Sequence, residues 1–141
     1  MRITNVETLI LQHDMDVELG FAQGYYNKRT AHIIKVHTDA GITGIGEIFG
    51  AGSFAFANQA IVNHVIAPML IGRNPLDINV IWHHVYNAMR DHGQKGMPIS
   101  CLSGVDIALW DILGKATDMP LHQLLGGKAR EDFVVYGYGM M

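Results

Sequence analysis

The stretch from Ser103 to Gly127, SGVDIALWDILGKATDMPLHQLLGG, places three acids and a lysine in one continuous run. Carboxylates that share a cleft can act as a general acid and a general base. Asp111 and Lys115, however, are four residues apart with the acid first, the favourable orientation for an ion pair on a helix surface, worth about 0.2–0.5 kcal/mol. Asp106 lies one turn before Trp110. The spacing therefore favours a structural role for these acids over catalysis.

The eight histidines and the single cysteine could in principle ligate a metal ion. His32 and His37 share a predicted strand at an odd separation, so their side chains point to opposite faces of the sheet. His83 and His84 are neighbours on a predicted helix, about 100° apart around its axis. No HExxH or CxxC motif accompanies them, and Cys101 lies among apolar residues, as a buried thiol does. We therefore predict no metal ligand and no catalytic residue in this chain.

Three glycines, Gly44, Gly46 and Gly50, form a GxGxxxG pattern between a predicted strand and a predicted helix. A dinucleotide-binding glycine motif has this local order but requires a parallel βαβ unit. Here a tight hairpin turn precedes the strand, which must run antiparallel to the strand before it. The glycines are better explained by close backbone approach, and nucleotide binding is the lesser alternative.

Composition places the chain among globular α/β or α+β proteins. It has 141 residues, of which 49% are hydrophobic and 16% charged, and its formal net charge is −3. The ten basic residues are scattered, which argues against a nucleic-acid-binding surface. The longest apolar run, residues 61–71, is broken by Asn63, His64 and Pro68, and the N-terminus lacks the layout of a signal peptide. We expect a cytoplasmic protein with no membrane partner.

Three strands are predicted in the first third of the chain. Residues 2–12 and 29–38 are rich in β-branched and aliphatic side chains, and residues 42–49 follow the turn Asp39-Ala40-Gly41. Residues 13–28 show no sustained period and contain two glycines and three aromatic residues, so they are predicted to form a long loop.

Helices are predicted in the rest of the chain. Apolar residues recur at helical spacing from Phe54 onward, and Pro68 should end or bend this helix. Asn74-Pro75-Leu76-Asp77 is a typical helix start, with Asn74 as the cap. A third helix lies within the 103–127 stretch, and a short fourth begins near Pro120 and ends at Gly126-Gly127. Strands followed by helices predict an α+β fold, an antiparallel sheet packed on a helical layer.

The order of motifs resembles the N-terminal capping domain of the mandelate racemase and muconate-lactonizing family of the enolase superfamily. The most specific element is SGVDIALWDILGK, then four residues, then PLHQLLGG, which matches the family signature almost throughout. One departure is Cys101, where the family pattern has alanine. The resemblance implies an enolase N-terminal domain over residues 1–127, and the start of a (β/α)8 barrel domain over residues 128–141, with DFVVYGYGMM similar to the first barrel strand.

The resemblance also implies lid residues that cover the mouth of the barrel, exclude water and select the substrate. They come from the loop between the first two strands and from the turn after the third: Phe21, Tyr25, Tyr26, Glu47 and Phe49.

In the family, a lysine or histidine base and three carboxylates that bind Mg²⁺ lie on later barrel strands. The resemblance therefore implies a Mg²⁺-dependent parent enzyme whose catalytic base and metal ligands are absent from this chain, so that the chain alone is expected to be inactive. Removing a proton beside a carboxylate creates a doubly negative intermediate, which a lid without concentrated positive charge cannot stabilise.

The favoured parent is an acid-sugar dehydratase, a hydro-lyase that removes the α-proton of a carboxylate and expels the β-hydroxyl as water. A racemase or cycloisomerase of the same family is the alternative, and a homo-oligomer is expected. A third hypothesis is a stand-alone binding module that associates with itself, because an isolated barrel strand leaves backbone groups and apolar surface uncovered.

Overall fold

A computed structural model describes residues 1–137, apart from Ala51 and the side chain of Phe21. Its sheet has three antiparallel strands in the order β1-β2-β3, with β1 at Ile3–Phe21, β2 at Gly24–Thr38 and β3 at Thr43–Ile48. The predicted turn between β2 and β3 is confirmed: Gly41 has a φ of 74°, and its N–H donates to the carbonyl oxygen of Thr38 at 3.2 Å.

The predicted loop over residues 13–28 is wrong, because these residues continue β1 and β2 as a long two-stranded hairpin arm. The paired register runs on through His13↔Arg29 and Asp14↔Lys28, and reaches Phe21↔Gly24 after one irregularity. A 2.8 Å ion pair joins Lys28 to Asp14 across the two strands. This part of the ribbon extends past the helical layer with neither face buried, so its sequence carries none of the apolar alternation that indicates a strand.

Within the described residues, four longer or α-helical segments follow the sheet: α1 at Phe54–Leu70, α2 at Ile78–Met89, α3 at Met97–Thr117 and α4 at Leu121–Leu124. A 3₁₀ turn at Arg90–His92 follows α2. The middle of α1, Val62–Ile66, is a π-helical segment just before Pro68, so the proline coincides with an irregular turn and does not end the helix. The predicted capping by Asn74 is wrong. Its Oδ1 accepts a bond from Leu76 in a separate turn, and α2 begins only at Ile78.

The hydrophobic core lies between one face of the sheet and the helical layer. Its fully buried side chains come from β2 and β3 (Ile34, Val36, Ile48), α1 (Val62, Ile66, Leu70), α2 (Ile81, Val85) and α3 (Leu102, Val105, Leu109, Ile112). Helix α3 is long and apolar enough to cross a membrane by length and composition, but here its buried face packs against the sheet. The predicted α+β fold is confirmed.

Residues 128–137 run along the surface without helix or strand. Four consecutive side chains in this segment, from Phe133 to Tyr136, are 75–103% exposed. Residues 138–141 of the predicted barrel strand lie outside the described residues. The boundary between a capping domain at residues 1–127 and a barrel domain from residue 128 stays a prediction.

Candidate functional site

Glu47 and Phe49 stand at the end of β3, where the chain leaves the sheet. Along this strand Gly44, Gly46 and Ile48 face the helices, so Ile45 and Glu47 face away from them. Phe49 follows with 84% of its side chain exposed. An exposed aromatic ring beside an exposed carboxylate, at the end of an edge strand, provides one apolar and one anionic contact to anything that covers this surface.

The two residues share a shallow groove of about 410 Å³. The connection before α3 and the first turns of that helix supply its other wall, formed by Gln94, Lys95, Gly96, Ile99, Ser100 and Ser103. Polar residues in this lining stand beside apolar area, to which Phe49 and Ile99 contribute, and more of the exposed lining is apolar than polar. Such a mixed lining can contact both the hydroxyls and the carbon chain of a ligand.

Glu47 also borders a second groove of about 410 Å³ on the outer face of the sheet. Its lining comes from the paired stretches Leu11–His13 and Arg29–Ala31. Glu47 therefore lies between a groove on the helix side and one on the hairpin side, each with a basic side chain, Lys95 in the first and Arg29 in the second.

The structure places the predicted hairpin residues apart from Glu47 and Phe49. Tyr26 precedes Ile33, the strand partner of Glu47, by about 23 Å along β2 at about 3.3 Å per residue. The Tyr25 side chain is 79% exposed, and its ring covers Gly20 on the opposite strand. The backbone of Phe21 pairs with Gly24 at the tip, and its side chain lies outside the described part of the chain.

Two side-chain contacts accompany the strand pairing of the arm. The Arg29 guanidinium carbon lies 6.0 Å from the centroid of the Tyr26 ring, at the limit of a cation–π contact. Lys28 donates to Asp14 and holds the pKa of that carboxyl below its usual range, by the hydrogen bond first and by charge second. The predicted lid residues thus form two groups, a turn group of Glu47 and Phe49 and an arm group at the hairpin tip.

Sequence reasoning missed Asn58, a fully buried residue of α1 whose Nδ2 donates to the carbonyl oxygen of Phe49 at 2.9 Å. Asn58 lies on the same helix stripe as Ala55 and Val62, both fully buried. A polar residue within an apolar stripe is the signal that could have revealed it. The groove residues Lys95 and Ser100 were also missed, because they belong to a connection and a helix start without a chemical motif.

None of the three acids of the 103–127 stretch lines the groove that Glu47 and Phe49 share. Asp111 and Lys115 form the predicted ion pair, and both bind the backbone of β3. Asp106 is half-buried, and desolvation raises its pKa. The structural interpretation of the Asp111–Lys115 pair is confirmed.

The histidines and Cys101 are separated as the sequence predicts. His32 is fully buried on the core face of β2, where desolvation lowers its pKa, whereas His37 lies on the opposite face between Thr43 and Glu7. Cys101 is buried in α3, and burial raises its pKa to about 12, so its thiol stays protonated. Within residues 1–137 without Ala51, no three His, Cys, Asp or Glu side chains are grouped so that they could hold a metal ion.

Gly44 and Gly46 pack against a helix. A Cβ atom on Gly44 would lie 2.0 Å from the carbonyl oxygen of Ala108, and one on Gly46 would lie 2.0 Å from that of Gly104. These glycines let α3 contact the backbone of β3 directly, which supports close approach over nucleotide binding.

Comparison with known proteins agrees with this fold. The structure of an enolase-superfamily member from Polaromonas sp. JS666 superposes with a TM-score of 0.84 at 39% identity, covering 92% of this chain and 34% of that one. The D-galactarolactone cycloisomerase of Agrobacterium fabrum is 39% identical over 139 residues, 99% of this chain and 36% of the relative. The D-xylonate dehydratase of Haloferax volcanii is 41% identical over 105 residues, 74% of this chain and 24% of the relative.

These likenesses define the class, an N-terminal capping domain of the enolase superfamily. Residues 5–126 match the family model for the N-terminal domain of mandelate racemase / muconate lactonizing enzyme, and the chain belongs to that family. It spans about a quarter to a third of the length of the curated relatives it matches. The resemblance stated from the sequence is confirmed.

Proposed function

We propose that this chain is the capping domain that selects the substrate of a Mg²⁺-dependent acid-sugar dehydratase. The observation that carries the proposal is that Glu47 and Phe49 line one groove of mixed polar and apolar character, in a domain whose relatives include an acid-sugar dehydratase and a cycloisomerase. The parent reaction would remove the α-proton of a sugar carboxylate and then release the β-hydroxyl as water.

The charge of Glu47 determines which end of such a substrate it can contact. A carboxylate accepts hydrogen bonds from sugar hydroxyls but repels the carboxylate group of the substrate. Glu47 would therefore bind the hydroxyl-bearing end, distant from the reacting carbon. Phe49 would cover the carbon chain with its ring and exclude water.

The hairpin arm would supply the second part of the lid. Its tip carries Tyr25 and Tyr26, whose rings offer apolar area with a hydroxyl at the end, and it extends beyond the end of β3. A two-stranded arm that extends beyond the sheet can place its tip residues against a neighbouring domain.

Mg²⁺ would have to be bound outside the described part of this chain. That part offers no group of three carboxylate, histidine or cysteine side chains at one place, so the residues present do not fit the ion. We therefore assign binding, orientation and water exclusion to this chain, and proton removal and metal binding to the barrel of the parent enzyme.

A domain exchange tests this function. We would replace the matching N-terminal region of the Agrobacterium fabrum cycloisomerase with this chain and compare kcat/KM over a panel of acid-sugar lactones and acids. The chimera should keep the reaction type of its barrel and change its preference among stereoisomers. A folded, active chimera whose preferences equal those of the parent cycloisomerase would contradict a selective role.

A cycloisomerase is the main alternative parent, because the relative that matches 99% of this chain carries that activity in its name. A capping domain without base or metal ligands does not set the reaction type, so the same domain exchange is compatible with either parent.

The exposed segment from Phe133 to Tyr136 favours a further candidate, self-association of the chain as a binding module. Four adjacent exposed apolar side chains are a typical association surface. Sedimentation velocity over a wide concentration range tests it: a dimer that disappears in the double variant Val134→Lys, Tyr136→Lys supports the module, and a monomer at every concentration excludes it.

A further inference from the structure

We infer that Asn58 is the positioning residue of the lid turn: its buried amide holds the backbone at Phe49 and so fixes the exposed ring above the groove. The geometric part stands on the structure alone, and its consequence for substrate selection rests on the proposed function. The amide Nδ2 of Asn58 donates to the carbonyl oxygen of Phe49 at 2.9 Å.

The donor of this bond is held on a rigid part of the molecule. Asn58 lies in α1, is 0% exposed, and is flanked one turn away on either side by the fully buried Ala55 and Val62. Its own carbonyl oxygen accepts bonds from the N–H of Val62 and, at 3.6 Å, from the thiol of Cys101 in α3. The amide therefore keeps its place relative to the core.

The acceptor, in contrast, belongs to an exposed turn with little packing of its own. Phe49 is 84% exposed, so its ring does not anchor the backbone, and the chain after Gly50 turns through Gly52 at a positive φ of 56°. The side-chain bond from Asn58 ties Phe49 to the helices, whereas Gly52 is held by the backbone N–H of Ala55 at 3.2 Å. Loss of the Asn58 bond would therefore free Phe49 and Gly50 and leave α1 in place.

Gly50 shows that the backbone is shaped around the amide. A Cβ atom on Gly50 would lie 2.4 Å from Nδ2 of Asn58, well inside van der Waals contact. Its φ lies outside the left-handed region, so the glycine matters here for space and not for backbone conformation: any side chain at position 50 would have to displace the Asn58 amide. Gly50 and Asn58 thus form a matched pair, in which the missing side chain of one admits the amide of the other.

The other polar atom of the amide, Oδ1, shows that Asn58 differs from a buried asparagine whose hydrogen bonds are all made. Oδ1 of Asn58 is buried and has no protein partner among the described residues. An unpaired buried acceptor costs about 1–3 kcal/mol, whereas a leucine of similar shape would carry no such cost. The bond from Nδ2 to Phe49 is the interaction that the polar residue supplies in return.

The test compares two asparagines of the same helix in the full chain. Asn58→Leu removes the donor to Phe49. Asn63→Leu is the matched control, since Asn63 is exposed and its bond is to Thr8 of β1, the strand on the opposite side of the sheet from β3. Backbone ¹⁵N order parameters should fall at Phe49 and Gly50 in Asn58→Leu, from about 0.85 to below about 0.6, and stay high in α1 and α3. Asn63→Leu should leave the turn rigid.

Two results would overturn the inference: a turn that stays rigid in Asn58→Leu, or a turn that loosens equally in Asn63→Leu. Should Asn58→Leu fail to fold, the unaltered chain still decides, because a scalar coupling across the hydrogen bond must join Nδ2 of Asn58 to the carbonyl carbon of Phe49. Its absence would refute the bond. None of these readouts uses activity, so a failure of the proposed function would remain distinguishable from a failure of this inference.

Discussion

The backbone N–H of Ile45 donates a 2.8 Å hydrogen bond to the carboxylate of Asp111, a residue of α3 that closes the free edge of β3. Lys115 completes the closure, since its Nζ donates at 2.6 Å to the same oxygen and at 2.8 Å to the carbonyl oxygen of Thr43. A helix thus satisfies one donor and one acceptor that this edge strand would otherwise offer to another chain. Asp111, one of the acids that its residue type made a candidate for catalysis, therefore has a structural role.

Removing that carboxylate should destabilise the fold. Asp111→Ala leaves the Ile45 N–H without its acceptor, and hydrogen bonds to charged groups contribute about 1.5–3 kcal/mol. We expect a loss of that order in the free energy of unfolding, measured by urea titration, and faster amide exchange at Ile45. Asp16→Ala, which alters an exposed acid of β1, is the control and should change little. An unchanged midpoint for Asp111→Ala would contradict the closure.

Adding a methyl group to the strand face beneath α3 should be far more costly than adding one elsewhere. In Gly46→Ala the new Cβ would lie 2.0 Å from the carbonyl oxygen of Gly104, so the helix must move off the sheet. We expect a loss of more than about 3 kcal/mol or failure to fold. Gly137→Ala, where nothing lies within 4 Å, is the matched control and should be neutral. Tolerance of Gly46→Ala would refute the close approach of α3.

The buried His32 makes stability depend on pH in a defined direction. Burial lowers the pKa of His32 in the folded state. Below about pH 6.5 the imidazole is therefore protonated more readily in the unfolded chain than in the folded one. Stability should therefore fall as the pH drops below that value. The neighbours of His32 on the core face, Ile34 and Ile48, carry no charge that would offset the effect.

Urea titrations of His32→Leu and of the unaltered chain, at pH values above and below 6.5, check this dependence. The difference in unfolding free energy between the two proteins should shift in favour of His32→Leu as the pH falls. His84→Leu, at an exposed position, is the control and should follow the unaltered chain. Parallel pH profiles for His32→Leu and the unaltered chain would contradict the assignment.

Mg²⁺ should not bind this chain in a specific complex. Calorimetric titration of the 141-residue chain with MgCl₂ should give only heats of dilution, since the described residues offer no group of three candidate ligands. EDTA should leave the thermal unfolding midpoint unchanged. A stoichiometric heat of binding, or a midpoint that rises with Mg²⁺, would place a metal site where none is predicted.

Much of the fold is predictable from the sequence because burial leaves a periodic record. The core faces of β2 and β3 and the apolar stripes of α1 and α2 follow that record, and Gly41 and Gly126 mark turns that need a positive φ. The hairpin arm has no such apolar period, because neither face of its two strands is buried. Its strands are joined by backbone hydrogen bonds, and the side chains of residues 13–28 show no alternation that would predict them.

The candidate site was less predictable than the fold. The family resemblance indicated Glu47 and Phe49. Asn58 binds the backbone of Phe49 from 9 residues further along the chain, and Lys95 lines the same groove from the connection before α3. Such contacts arise from the packing of α1 and α3 on the sheet. The sequence shows that Asn58 is a polar residue within an apolar helix stripe. Only the folded structure shows that its amide donates to the carbonyl oxygen of Phe49.

The measurement that tests the account most directly is steady-state kinetics of Phe49→Ala in the chimera with the cycloisomerase barrel. Phe56→Ala, which truncates another exposed phenylalanine outside the groove, serves as the control. We predict that KM rises about tenfold in Phe49→Ala, equivalent to about 1.4 kcal/mol of lost binding, while kcat stays within about twofold. Equal KM values for Phe49→Ala, Phe56→Ala and the unaltered chimera would contradict the role of this turn in selecting the substrate.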